Sequence, residues 1–413
     1  MAQYKVEESS LTAVADAIRE KSGASGALEF PNGFVSAVEN ITCGGFTPPE
    51  DEVLTPELVY QTTRPGDWLT MPTPGDDEIY LLGHVQPVVN GIFTATVGIT
   101  GTCLVEIGTL QNGEFVPMKS ITPQSTVRFT ENILYSDFGH PTSKGAHQYL
   151  VKVKGQIDYL YLLKPNNYST TNNIVDIVCG MDLDRIYCGE TATPNTALHE
   201  LRYLNFVGNG RSQMISPYYM YCKSLLSIRC DAPPTEKAGS SFVSQCTSLI
   251  AVSPNFLPTG KYSLSTAFYN TRLSNIQLNG YPTALNAAFA GTPISAFSAN
   301  TEYVTTFAGA FTDCYCLKTV TGLNITSVTN FYEAFKNCVS LSRLVFAGET
   351  TPGGSGLDLR TTSLNHAALV EMFDSLPTAT KATTITITGV PGAAELTDAE
   401  IAVATAKNWT ITR

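Results

Sequence analysis

The chain has 413 residues, more than one ordinary compact core holds, so two to four units of roughly 100–200 residues are expected. Hydrophobic residues make up 43% and charged residues only 15%, against a usual ~25%, a profile of β-rich surface proteins and repeat arrays rather than helical enzymes. A net charge of −11, acidic runs at Glu50-Asp51-Glu52 and Asp76-Asp77-Glu78, and no basic stripe exclude a nucleic-acid surface; no apolar run approaches the ~18 residues of a membrane span.

Residues 1–45 read as a small helical module. Ser9 or Ser10 caps a helix whose apolar face is Leu11, Val14 and Ile18, and Lys21-Ser-Gly23 stops it. Pro31 opens a second short helix with Phe34, Val38 and Ile41 inward. Two such helices bury too little to stand alone, so the module is expected to dock on a partner. Met1 to Ile18 has neither the basic nor the apolar region of a secretory signal. Assembly in a cytoplasm is therefore expected, with the ten cysteines as free thiols.

Gly44-Gly45 and Pro48-Pro49 mark a linker, and the character changes over residues 53–165. Strand patterns appear at Glu78–Leu82, Gly91–Val97, Cys103–Ile107, Phe115–Met118, Ser125–Phe129 and Tyr149–Val153. Asn112-Gly113 is a hairpin-turn signal. Short strands at near-regular spacing predict a β-sandwich of immunoglobulin-like size, with Trp68 plugging its edge or core.

Residues 175–349 carry the strongest pattern: an aromatic residue, then Cys or Thr, then Leu-x-x-Ile/Val/Leu. Clear copies are Phe335, Cys338, Leu341, Leu344 and Phe311, Cys314, Leu317, Val320. Earlier ones carry Tyr219, Cys222, Leu225, Ile228 and Cys246, Leu249, Val252. Two are one residue shorter before the leucine position: Phe268, Thr271, Leu273, Ile276 and Phe289, Thr292, Ile294, Phe297. The anchors at 225, 249, 273, 294, 317 and 341 are spaced 24, 24, 21, 23 and 24 residues apart. That period lies in the range of about 20–29 residues of leucine-rich repeats, whose units must stack because none buries its apolar face alone.

Residues 350–413 read as an α/β cap. Asn365–Leu376 is helical, Thr383–Thr388 is a strand, Thr397-Asp-Ala-Glu400 is a capping box opening a helix, and Trp409–Thr412 closes as a strand. The predicted fold class is thus mainly β with short helices: helical module, sandwich, repeat solenoid and α/β cap.

Sites of chemistry are not legible. His84, His140, His147, His199 and His366 are scattered, and Cys314-x-Cys316 lacks a second pair at zinc spacing. Asp182 and Asp184 read as a strand's solvent face. No phosphate loop or nucleophile elbow occurs. No catalytic, metal or cofactor residues are expected. The tyrosines are the candidates for recognition: Tyr219 sits at a core position, while Tyr218, Tyr221, Tyr262, Tyr281 and Tyr303 fall off it and can meet sugars or protein.

The aromatic-x-x-Cys-x-x-Leu core resembles the BspA-like branch of leucine-rich repeats. The stretch Ser10-Leu-Thr-Ala-Val-Ala-Asp-Ala-Ile-Arg-Glu-Lys21 resembles a module at the start of phage tail and baseplate proteins. Arg64-Pro-Gly-Asp-Trp68 and Ile385-Thr-Ile-Thr-Gly-Val-Pro-Gly392 look like segments of the same group. The resemblance implies a virion structural protein of the tail fibre or baseplate periphery. It would dock on other virion proteins through its N-terminus and present the repeats to a host-surface glycan or protein. A homo-oligomer, with a trimer as working expectation, fits that role. A head fibre or decoration protein, a bacterial BspA-like adhesin and a polysaccharide-degrading tail protein are the alternatives.

Overall fold

The computed structural model describes residues 54–87, 91–162, 173–183, 185–188, 200–208, 210–212, 219–234 and 242–413. The chain divides into two compact units, 1–53 and 54–413. The expected helical module, with Leu11, Val14, Ile18, Phe34 and Val38, lies outside the described residues. The second unit is mainly β, in several sheets.

Five strands open it: β1 (Glu78–Val85), β2 (Gly91–Gln111), β3 (Glu114–Ile121), β4 (Val127–Ile133) and β5 (His147–Tyr161). Asn112 and Gly113 both take positive φ, 53° and 85°, as a two-residue hairpin turn between β2 and β3 requires. The sequence separates Gly91–Val97 from Cys103–Ile107, but both belong to β2. Thr100-Gly-Thr102 has turn composition, yet it bends the strand instead of ending it. The register with β5 shifts between Ile99 and Cys103, opposite Gly155 at φ +126°. A Cβ on Gly155 would stand 1.9 Å from the Thr102 carbonyl oxygen, so only glycine lets the two strands bend together. Beyond the bend β2 changes neighbour: its start pairs with β4 and its end with β3.

Strand β6 (Ile174–Cys179) pairs antiparallel with β1 and parallel with Tyr203–Phe206. Ser227–Cys230 and Ala251–Val252 continue the parallel order. One ten-stranded sheet therefore holds strands from both sides of the point where the sequence changes character. Every residue of β6 is buried, because both faces of the sheet are covered. The inner face joins the main core. The outer face is covered by the helix Pro56–Thr63, capped by Thr55, and by the strap that follows it.

That strap is Arg64-Pro-Gly-Asp-Trp-Leu69. Trp68 and Leu69 pack on Leu82, Leu150, Val175 and Tyr203. Asp176, fully buried in β6, accepts from Arg64 Nε and from the Tyr60 hydroxyl, each at 2.8 Å. Arg64 Nη2 also donates to the Leu69 carbonyl at 2.5 Å. Burial pushes the Asp176 carboxyl up, and Arg64 and Tyr60 pull it back. Buried Gln148 accepts from Leu69 N–H and donates to the carbonyls of Asp67 and His140, all at 2.8 Å. A buried charge with its partner removed costs about 3–5 kcal/mol, so this network pins the strap.

Beyond residue 219 the chain climbs in rungs. Ile228 pairs with Val252, Phe297 with Val320, and Val320 with Leu344, each pair at the same position of successive copies. The residue before each repeat Cys or Thr adopts a left-handed conformation: Tyr221, Gln245, Asn270, Gly291, Asp313 and Asn337, at φ between 55° and 71°. Four residues earlier, Thr266, Ala287, Gly309 and Glu333 do the same. These turns aim N–H groups at the next rung: Phe268 N–H bonds the Ala288 carbonyl, Phe289 the Ala310 carbonyl, and Phe311 the Ala334 carbonyl, at 2.9–3.0 Å. Between the turns, Phe268, Phe289, Phe311 and Phe335 stack with centroids 5.4–5.7 Å apart and planes within 10° of parallel.

The last residues close the stack. Helix His366–Ser375 is capped by Asn365, and helix Asp398–Ala406 opens on a complete Thr397–Glu400 capping box. Leu357–Asp358, Thr383–Thr386 and Trp409–Thr412 form a parallel three-stranded sheet, with Trp409 buried.

Two outcomes follow. Leu317 is fully buried in the column of anchors, so Leu317→Asp should cost about 3–5 kcal/mol in urea unfolding. An unchanged midpoint would show that the side chain does not face inward. The second concerns His84, whose ring stands edge-on to Trp68 at 5.0 Å and whose Nε2 is buried without a nitrogen or oxygen partner. Burial first, then the nearby Arg202, lowers its pKa from 6.5 to about 4. The unfolded chain takes up that proton near 6.5 and the folded chain only near 4. Native stability from this group is therefore complete above pH 6.5 and lost as pH falls toward 4, by up to about 3 kcal/mol. His84→Phe should melt with a shallower pH dependence than the parent across that window; identical slopes would contradict the assignment.

Candidate interaction surface

The repeat residues named from sequence lie together in the interior. Cys222, Leu225, Cys246, Leu249, Leu273, Ile294, Cys314, Leu317, Cys338 and Leu341 are all buried. Their polar atoms serve the turns. Thr271 and Thr292 donate to the carbonyl of the aromatic residue in their own rung, Phe268 and Phe289. The thiols, on longer bonds, reach the preceding rung: Cys246 to Tyr219, Cys314 to Phe289, and Cys338 to Phe311, at 2.8–3.1 Å. Cys222 donates to the Cys188 carbonyl at 3.3 Å. Burial pushes the Cys314 thiol up to about 12 and the Cys246 thiol well above its ordinary value, so both stay protonated donors. Eight described cysteines are free thiols, but Cys316 is disulfide-bonded, so the expectation of free thiols throughout fails there. Cys316 stands off the inward column and is half-buried.

The five tyrosines proposed for recognition divide. Tyr218 lies outside the described residues. Tyr262 is a correction: it is buried, 2% exposed, with its hydroxyl bonded to the Asn279 carbonyl, because its position in the Lys261–Ser263 strand faces the core. Tyr221 is half-buried and packs against the core from a left-handed turn. Tyr281 and Tyr303 remain. Tyr281 is 41% exposed and meets Tyr303 edge to face at 5.6 Å. Lys261 Nζ stands 3.4 Å from the Tyr303 ring centroid. The three belong to successive rungs of one flank. Lys261 and Tyr281 are register partners, and Thr305 N–H bonds the Thr283 carbonyl to carry the ladder on to the Tyr303 rung. Gly280, at φ +67°, makes the turn into Tyr281; a Cβ there would meet two carbonyl oxygens within 2.6 Å.

A second exposed set was not singled out in sequence. Tyr332 is 64% exposed, Tyr315 51% and Val339 50%. The signal for Tyr332 is positional: three residues before the repeat aromatic, other copies carry Ser265, Asn286 or Ala308, and this copy alone places a large ring there.

The scattered histidines find separate roles. His140 bonds the Leu110 carbonyl, His147 stacks on Tyr135, and His366 pairs with Glu400. Asp182 is exposed; Asp184 and His199 lie outside the described residues. Among the described residues no group of three or more His, Cys, Asp or Glu side chains is placed to hold a metal. The arrangement is one of preorganised exposed side chains on a ladder. Compared with known proteins, the chain matches no family model, no curated protein and no solved structure.

Because the thiolate is the reactive form and burial disfavours it, Cys222, Cys246, Cys314 and Cys338 should resist alkylation in the native protein at pH 8 and label fully once denatured without reductant. Native labelling faster than unfolding, or a missing label after denaturation, would remove their role as protonated donors to the turns.

Proposed function

We propose that this chain is a non-catalytic attachment protein, a rigid stack of leucine-rich-type repeats of the BspA-like kind joined to a sandwich-like β-domain of immunoglobulin-like size. The aromatic row of Lys261, Tyr281 and Tyr303 is the observation that carries the reading. An exposed tyrosine set against a half-buried one, with a cation at its side and fixed by backbone pairing, loses little entropy when it meets a sugar or a protein surface. The N-terminal resemblance supports a place at the periphery of a phage tail, docked through residues 1–45, in a virion assembled in the host cytoplasm. The same resemblance supports oligomeric assembly.

Labelled full-length protein, incubated with a panel of anaerobic gut bacteria, should bind some strains saturably. The Tyr281→Ala/Tyr303→Ala double variant should bind them at least about tenfold more weakly, the usual scale for losing aromatic anchors. Equal binding by the folded double variant removes the row from the reading. Immunogold labelling of source particles on heads, or on none, removes the tail assignment.

A further inference from the structure

Two consecutive turns of the array, at 333–337 and 358–361, enclose a groove of about 420 Å³. Its charged side chains are paired among themselves. Lys336 Nζ donates to Glu333 Oε1 at 2.9 Å, and Arg360 grips Asp358 through Nε at 3.0 Å and Nη2 at 2.6 Å. Asn337 is fixed twice: its backbone N–H donates to Thr361 Oγ1 at 2.8 Å, and its amide donates to Asp313 at 2.7 Å.

Pairing holds these groups in place without exhausting them. Lys336 retains further N–H donors, Arg360 has donors pointing away from Asp358, and the Asn337 carbonyl and both carboxylates keep open lone pairs. Donors and acceptors of both kinds therefore converge on one groove whose charges cancel. Beside it stands Tyr332, whose hydroxyl interacts with Glu333 and whose ring is largely exposed.

This combination selects by chemistry. A polyanion would meet two carboxylates on a chain of net charge −11. A polycation would meet Lys336 and Arg360. An apolar protein patch would find a single ring among polar groups. A sugar has what the groove lacks: hydroxyls that both donate and accept, and a carbon face for an exposed aromatic ring. At about 420 Å³ the groove has room for linked rings rather than a single one. We propose that this groove, with Tyr332 at its side, is a binding site for a neutral, hydroxyl-rich oligosaccharide. The proposal rests on the attachment reading above and adds to it a second site with a stated ligand class.

The test uses full-length protein and titration calorimetry with chitohexaose, mannohexaose and, as the anionic arm, a hyaluronan hexasaccharide. At least one neutral hexasaccharide should bind, with an affinity that changes less than about twofold between roughly 0.05 and 0.5 M salt, since no net charge is screened. Tyr332→Ala should weaken it about tenfold, while Tyr332→Phe should stay within about threefold because the ring face is kept. Met118→Ala, at an exposed position of β3 outside both sites, should leave it unchanged. The groove assignment is overturned if neither neutral sugar binds, if hyaluronan binds more tightly and is released by salt, or if folded Tyr332→Ala binds as the parent does. Loss of cell binding in the Tyr281/Tyr303 double variant, with no hexasaccharide binding by the parent, keeps the attachment reading and removes the groove. Hexasaccharide binding with no binding to cells does the reverse.

Discussion

Each rung of the array leaves backbone donors that only the next rung can satisfy, and the rest of the structure follows from that requirement. Unpaired buried N–H groups are costly, so the turns repeat a fixed pattern of left-handed residues that aims them along the stack. Non-glycine residues accept that conformation in most copies, among them Tyr221, Gln245 and Glu333. The strain is offset by hydrogen bonds along the column and by a continuous stack of phenylalanines. Cys and Thr interchange at the following position because the site asks only for a small side chain that donates to a carbonyl.

A ladder has open faces, and the protein closes them by different means. The outer face of the ten-stranded sheet is covered by a short helix and a strap held by buried polar groups. Arg64, Asp176 and Gln148 would be costly singly. Arg64 and Asp176 satisfy each other, backbone groups including the strap's own satisfy Gln148, and both sets of bonds fix where Trp68 sits. At the far end, two capped helices and the buried Trp409 take over the closing role.

The exposed surfaces inherit their rigidity from the same ladder. Lys261, Tyr281 and Tyr303 form a row because their backbones are neighbours in successive rungs, and the groove at 333–361 exists because two turns repeat one conformation side by side. Side chains held on such a scaffold need little reordering to meet a ligand.

The sequence by itself determined the features that repeat or act over a few residues. The anchor spacing reappears as the register of the parallel pairs. Asn112-Gly113 turns its hairpin, and Thr397 and Glu400 cap each other. These are periodic or local, so composition and spacing record them. Only the tertiary structure decided that β2 bends rather than ends, that β6 joins the antiparallel strands to the parallel ladder, and that Arg64 reaches an aspartate 112 residues away. It also decided that Tyr262 turns inward while Tyr281 stays exposed. Pairings between distant segments leave no period behind. Tyr281 pairs with Lys261 and Tyr262 with Pro282, so the two tyrosines occupy adjacent positions of one ladder, and one residue along a strand exchanges the buried face for the exposed one.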